Sequence, residues 1–387
     1  RTSIEASSNG CASIISNRGG LPESITDALI LRTLKTNNLY KLIKKIILNK
    51  SLRKKLQKDS IKNFYLTNSF ISKKIDDIRN EITSMKNSNE KKKLKILHIT
   101  NFNERHNGRL FFNTGRRINN GFIRLNHSVL TISDRDIQSY YRSVIDFDGS
   151  KKLNTKLIDT ISNYLPDLIV LGHADLINLS TLKFVKFYYP EIKIMQWFLD
   201  KMTEEWAKNK DRFFDKINIM DCSFCTTSPE VVDSSKKHNI HYIPNPSDSS
   251  FERLKCYNNK HPVYDVFFAM SHGVHRGILK KGKFDKRTLT LDKLIKKSPN
   301  LKFNVNGSYN NQPVWADDFL ANLYLSKMAL NLSQGKAIKY YSSDRISQLM
   351  GNGILTFIDK RTKLNNFFTN KEVIFYDSLD DLSKKLD

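Results

Sequence analysis

The sequence predicts an α/β chain built on doubly wound parallel sheets, and three observations predict it. Short apolar runs suited to buried parallel strands recur, as in Leu94-Lys-Ile-Leu-His-Ile-Thr100, Asp167-Leu-Ile-Val-Leu-Gly172 and Ile354-Leu-Thr-Phe-Ile358. Stretches with apolar residues at helical spacing separate several of them. Several runs end in polar or glycine-bearing loops, where a doubly wound sheet opens its ligand crevice.

A chain of 387 residues has room for two or three domains, and 39% hydrophobic residues supports cores rather than disorder. The formal net charge of +25 calls for anionic partners: nucleic acid, an acidic lipid surface or a phosphorylated substrate. No run of eighteen apolar residues predicts a membrane span. The first residues show neither a starting Met nor a signal-peptide pattern. Four cysteines do not frame a chain of this length, and Cys222 and Cys225 form a lone CxxC without a second pair. Buried thiols, no metal and a reducing, cytoplasmic setting are the expectation.

Residues 1–93 carry 20 Lys and Arg against 8 Asp and Glu, a net +12. Ile4 to Ser16 reads as helix, glycine stop and strand. Asn17-Arg-Gly-Gly-Leu-Pro-Glu23 then opens a further helix. Gly19 and Gly20 permit close backbone approach to a ligand, and Pro22 suits a first helical turn. From Leu29 to Lys86 the apolar positions Leu39, Leu42, Ile43, Ile46, Ile47, Leu52 and Leu56 keep helical spacing. Such helices suit packing across a neighbouring domain, or docking of a basic face on acidic lipid. Lys86 to Lys93 reads as a solvated linker.

A new domain begins at Leu94. Its first strand runs into the polar loop Asn101-Phe-Asn-Glu-Arg-His-Asn-Gly108, then a helix over Phe111 to Leu125 and a strand over Ser128 to Ile132. The loop lacks GxGxxG, so no dinucleotide cofactor is expected. Later strands end at Gly172, His173 and Asp175, and at Asp200, which puts these side chains at the crevice end of a parallel sheet. Cys222 to Cys225 gives another strand, and His241-Tyr-Ile-Pro-Asn-Pro246 closes this half. His106, His173, Asp175 and Asp200 are its candidate acid/base residues, with strand and helix capping the plainer roles for His173 and Asp200.

Asp265 to Met270 is a strand entering a loop with Ser271, His272, Gly273 and Arg276, where guanidinium and glycine suit phosphate oxygens. Leu301 to Gly307 is the next strand and turn, and Tyr324 to Gly335 continues through helix and strand. After the polar residues Tyr341 and Ser343, Asp344 is placed to cap a helix whose apolar positions are Ile346, Leu349 and Met350. Gly351 and Gly353 end it, before the strand Ile354 to Ile358. Arg345 and Gln348 share a face near the helix start, whose free N–H groups and dipole make a seat for phosphate.

This segment resembles the donor-binding half of GT-B-fold glycosyltransferases, especially the spore-maturation-protein-type branch of group 1. Arg345 and Gly353 fit the family spacing, and Leu364-Asn-Asn-Phe-Phe through Glu372-Val-Ile-Phe-Tyr to Leu382 resembles its tail. Gln348 departs from the pattern: it stands where the family has an acid that grips sugar or ribose hydroxyls. An amide bonds hydroxyls without charge. The beginning of the chain resembles the end of another group 1 (family-4-type) transferase, which implies a donor motif of Glu5, Gly19, Gly20 and Glu23.

The resemblance implies an α/β GT-B fold: two Rossmann-like doubly wound domains facing a cleft, preceded by a partial Rossmann-like and helical segment. Residues 1–90 would be the C-terminal fragment of a first transferase domain with basic helices and linker, not itself expected to catalyse. Residues 94–245 would be the acceptor-side half and 246–387 the donor-binding half, with its own end truncated. Donor contacts are expected from Ser271, His272, Gly273, Arg276, Tyr341, Ser343, Asp344, Arg345, Gln348 and Gly353.

The implied activity moves a sugar, hexosyl or Kdo-type, from a nucleotide-activated donor to a growing surface polysaccharide or lipid-linked glycan. No cofactor or metal is expected. The expected partners are the nucleotide-sugar, the glycan or lipid-linked acceptor and an acidic membrane surface for a peripheral seat on its inner face. Two rivals stay open: a non-catalytic nucleotide-sugar-binding module, and a basic nucleic-acid-binding protein. The second is opposed by dispersed charge and by the lack of a helix-turn-helix, zinc-finger or RNP-type signature.

Overall fold

The computed structural model describes residues 2–84, 93–271, 274–275, 278–279 and 285–387. His272, Gly273, Arg276 and most of the expected linker lie outside the described residues. The chain divides between Lys92 and Lys93 into two units.

In the first unit, α1 (Thr2–Ser8), β1 (Ser13–Ser16), α2 (Leu21–Ser24) and β2 (Ala28–Leu31) precede three helices: α3 (Thr36–Leu48), α4 (Lys50–Lys62) and α5 (Asn68–Ser84). The strands β1 and β2 pair in parallel. Gly10 adopts φ +70° and lies against Ile61, joining the turn after α1 to α4. Tyr65 donates its hydroxyl to the Glu23 carbonyl at 2.6 Å.

The second unit holds two parallel sheets. The first half runs β3 (Lys95–Thr100), α6 (Thr114–Arg124), β4 (Ser128–Ser133), α7 (Asp134–Tyr140), α8 (Ser150–Tyr164), β5 (Leu168–Gly172), α9 (Leu179–Tyr188), β6 (Lys193–Phe198), α10 (Ala207–Phe214), β7 (Cys222–Cys225), α11 (Pro229–Val232) and β8 (Ile240–Tyr242). Its sheet order is β4-β3-β5-β6-β7-β8. The second half runs β9 (Tyr264–Ala269), the short pair β10 (Val274–His275) and β11 (Ile278–Leu279), α12 (Lys286–Lys297), β12 (Phe303–Asn306), α13 (Ala316–Tyr324), β13 (Ser326–Leu330), α14 (Arg345–Gly351), β14 (Leu355–Asp359), β15 (Ile374–Tyr376) and α15 (Leu379–Leu386). Its sheet order is β12-β9-β13-β14-β15.

Strand alternation explains why both sheets are doubly wound. Leu97, Ile99, Ile169 and Ile194 face α8 and α9, packing on Leu153, Leu157, Ile161 and Leu182. Ile96, Val170 and Trp197 turn to the other face, against Ile118 and Phe122 of α6. In the second half Val266 and Phe268 meet α12 and α15, while Phe267 and Ala329 meet α13 and α14. Both sheets therefore have covered faces and near-continuous apolar strands. Each order reverses beside its first strand, at β3/β5 and at β9/β13, and such a reversal opens a crevice beyond the carboxyl ends.

Close approach fixes two of these ends. A Cβ added to Gly172 would overlap the Trp197 ring. Gly307 holds φ +81°, and a Cβ there would overlap the Met270 carbonyl oxygen. His98 is buried at the middle of β3: its Nε2 accepts from Trp197 Nε1 at 3.2 Å, and its Nδ1 lies 3.4 Å from Asn119 Oδ1.

Burial lowers the His98 pKa to about 4, with the Asn119 contact pulling weakly the other way. The unfolded chain takes up this proton below its ordinary value of 6.5, whereas the folded chain resists to about 4. Stability therefore falls as pH drops through that window, by about 3 kcal/mol for this group. Urea titrations at pH 7 and pH 4.5 should show a pH-dependent loss that is smaller in His98→Asn. An equal loss in the variant would remove His98 as its source.

Candidate functional site

A cavity of about 390 Å³ lies where the carboxyl ends of both sheets meet. The first half contributes Asn103, Arg109, Phe112 and Asn113 from the loop after β3, and Thr114 and Arg117 from α6. The second half contributes Phe251, Glu252, Met270, Ser271, Trp315, Phe319 and the start of α14 with Ser343, Asp344, Arg345 and Gln348. The predicted helix start thus faces a cleft.

The groups at that start are arranged differently from the expectation. Arg345 turns its guanidinium inward: Nε donates to the Ala269 carbonyl at 2.8 Å, and Nη1 to the Leu332 carbonyl at 3.0 Å and Ser343 Oγ at 3.2 Å. It stacks over Phe268 at 4.7 Å and ties the ends of β9 and β13 at the switch point. Burial, then the neighbouring Arg287, lowers its pKa to about 9. Its visible role is to brace the cavity floor. Asp344 stands at the N-cap without capping a backbone N–H through its side chain. Its carboxylate accepts from Thr114 Oγ1 at 2.8 Å and Gln348 Nε2 at 3.0 Å.

Ser343 and Ser271 also line the cavity, whereas Gly353, at φ +70°, packs behind α14 against Tyr257. Tyr341 lines a second cavity of about 890 Å³ with Lys286, Arg287, Lys293, Lys336 and Arg361. Burial, then the nearby Asp200 charge, raises its hydroxyl pKa to about 12. In the first unit Glu5, Gly19, Gly20 and Glu23 are all exposed.

The acid/base candidates fall into two groups. His106 sits in the turn after β3, its Nδ1 3.5 Å from Arg109 Nη2. Burial, then the charges of Arg105 and Arg109, lowers its pKa. His173, Asp175 and Asp200 gather at the ends of β5 and β6. His173 Nε2 accepts from the Leu199 N–H at 2.9 Å, and Nδ1 faces Asp200 at 3.7 Å. The ring stacks on Phe198 at 4.1 Å, so the capping role is met. Burial holds its pKa below the ordinary value, against the opposing pull of Asp200. Asp175 accepts from Arg135 at 2.9 Å and Arg212 at 2.6 Å, leaving Asp200 the more open carboxylate at 52% exposure.

Several site residues have no local motif and emerge only in three dimensions. Arg117 of α6 is 2% exposed; its Nη2 donates to Glu252 Oε1 at 2.6 Å, and its Nη1 reaches Asp344 at 3.5 Å. Gly351 makes room for Glu252, whose Cγ lies 2.6 Å from the Cβ position that glycine leaves open. Arg124 forks onto Asp248 at 2.8 and 3.2 Å. Burial alone would raise the Asp248 pKa, but bonds from Arg124 and Ser250 outweigh it and hold it at about 2. Lys201 crosses the cleft to the carbonyls of Gln334 and Lys336, and burial lowers its pKa. Buried Trp315 Nε1 finds no hydrogen-bond partner among the described residues.

The Cys222 and Cys225 thiols are free, and burial raises both pKa values, that of Cys225 to about 12. Among the described residues no group of three or more His, Cys, Asp or Glu is placed to hold a metal ion.

Two doubly wound halves turning their strand ends toward a shared cavity define the GT-B arrangement. Residues 286–387, most of the second half, match the family model described as glycosyl transferase-like. No curated protein sequence matches the chain. Among solved structures, the T4 phage β-glucosyltransferase is similar at 12% identity, covering 76% of this chain and 87% of its own, with a TM-score of 0.37. The Anabaena protein HepE in complex with UDP aligns at 10% identity over 76% and 88%, with a TM-score of 0.42. A UDP-GlcNAc 2-epimerase from Neisseria meningitidis bound to UDP-GlcNAc aligns at 11% identity over 68% and 82%, with a TM-score of 0.36. These are loose similarities of chain path.

Replacing Arg117 by Met strands Glu252 as an unpaired buried charge, and losses of this kind run at about 3–5 kcal/mol. Urea unfolding of the full chain should show that loss in Arg117→Met and recover part of it in Arg117→Met with Glu252→Gln. A single variant as stable as the parent would show that the pair does not hold the seam.

Proposed function

We propose that residues 93–387 bind a nucleotide-activated sugar in the cleft and transfer its glycosyl group to a glycan or lipid-linked acceptor. The reading is carried by one coincidence: the segment matching the glycosyl transferase-like family forms much of one wall of a cavity built from both halves. Phe112, Phe251, Trp315 and Phe319 offer an aromatic wall for a base, and Gln348 and Asn103 offer amides for hydroxyls.

The second cavity is lined by residues of the segment 331–341, which leads into the Ser343–Arg345 wall of the first, and carries the cations suited to a diphosphate. Arg287 and Arg361 there are held by Asp285 and Asp359, while Lys286, Lys293 and Lys336 add charge that favours departure of the nucleotide. Asp200 is the preferred base for the acceptor hydroxyl, because the His173 Nε2 lone pair already accepts the Leu199 N–H. The basic helices of the first unit, with Lys41, Lys44, Lys45 and Lys50 beside exposed Ile47 and Leu48, suit an acidic membrane face on the cytoplasmic side.

Calorimetric titration with UDP, GDP and CMP tests the donor. Trp315→Ala should weaken the nucleotide that binds best by about ten- to hundredfold, the range of one base–aromatic stack. Unchanged affinity would remove the cavity as the nucleoside site. Binding without hydrolysis or transfer of the matching nucleotide-sugar would favour a non-catalytic binding module.

A further inference from the structure

We propose that Asp344 is a positioning residue that fixes the orientation of the Gln348 amide so that its carbonyl oxygen is the atom offered to a ligand hydroxyl. The proposal rests on the donor-binding reading above and deepens it. Gln348 Nε2 lies 3.0 Å from Asp344 Oδ2. A carboxylate only accepts, so the amide atom facing it must be the NH₂ group. This removes the two-fold ambiguity of an amide and leaves the carbonyl oxygen for the cavity that both residues line.

Asp344 is itself held from the opposite half. Thr114 Oγ1 donates to it at 2.8 Å and Arg117 Nη1 approaches at 3.5 Å, while Glu252 pins Arg117 from the other side. The acid expected at position 348 is therefore replaced in two parts. The accepting oxygen stays at 348, and the charge moves one helical turn back to 344. An oxygen that only accepts recognises an O–H, and a site of this kind discriminates against a ligand that lacks it.

The matching ligand group is a hydroxyl of the donor's ribose or of its sugar. Titration of the full chain with UDP, GDP and CMP, each against its 2′-deoxy and 3′-deoxy forms, addresses the ribose. UDP-glucose against analogues lacking one sugar hydroxyl addresses the sugar. The parent should prefer the hydroxylated ligand in one arm by about tenfold, the scale of one hydrogen bond. Asp344→Asn frees the amide to rotate and should cut that preference to about twofold.

Asp344→Asn with Gln348→Glu should restore the preference. A carboxylate at position 348 again presents only oxygens, and the amide NH₂ introduced at position 344 can hold it. A merely structural role for Asp344 predicts no such rescue. Full discrimination retained in Asp344→Asn, or no recovery in the double variant, would overturn the proposal and leave the donor reading standing. If the parent binds none of these nucleotides, the donor reading falls and the proposal with it.

Discussion

The cleft depends on a buried ion pair. Arg117 reaches from α6 of the first half into the second, where Glu252 takes its guanidinium and Asp344 stands within 3.5 Å. A charge this deeply buried is tolerable only while paired, so the two halves lose more than a contact if they separate. Arg124 and Asp248 repeat the join at the other end of α6, and Lys201 makes a third crossing to the loop after β13. The seam is polar throughout these crossings. Such a join fixes register and orientation more strictly than an apolar one, because each crossing needs its own partner in place.

Charge is distributed across the site by function. Around the first cavity the strong charges are spent on structure: Arg345 braces two strand ends, and Arg117 joins the halves. That leaves aromatic faces, amides, hydroxyls and the Arg109 guanidinium over Trp315 as its lining. The second cavity is different, with Lys286, Lys293 and Lys336 along its wall. The His173 cluster is likewise tightly bound within itself, which explains why a histidine at a strand end need not be a base.

The strands and the order of the second unit were legible because buried parallel strands are written as unbroken apolar runs, as at Leu94 to Thr100 and Ile354 to Ile358. The helix start at Asp344 was legible too, but the direction of the Arg345 side chain was not. Spacing places a residue on a face, whereas the open carbonyls of Ala269 and Leu332 that capture its guanidinium are set by tertiary packing. The same limit hid Arg117 and Glu252. Each looks like an ordinary surface charge in its own segment, and only the crossing of α6 over the 248–252 turn brings them together. The family resemblance puts Gly353 among the donor contacts, yet its positive φ serves the turn that ends α14, the role its place after the helix predicts.

The separation of these partners along the chain bears on how the protein is made. Arg117 leaves the ribosome 135 residues before Glu252 and 227 before Asp344. The first sheet has all its strands once Tyr242 has emerged, so it is complete while α6 still displays two arginines with no acidic partner. The later half supplies Asp248, Glu252 and Asp344, so every acidic partner of Arg117 and Arg124 is made after the first sheet and meets them only once the second half is in place.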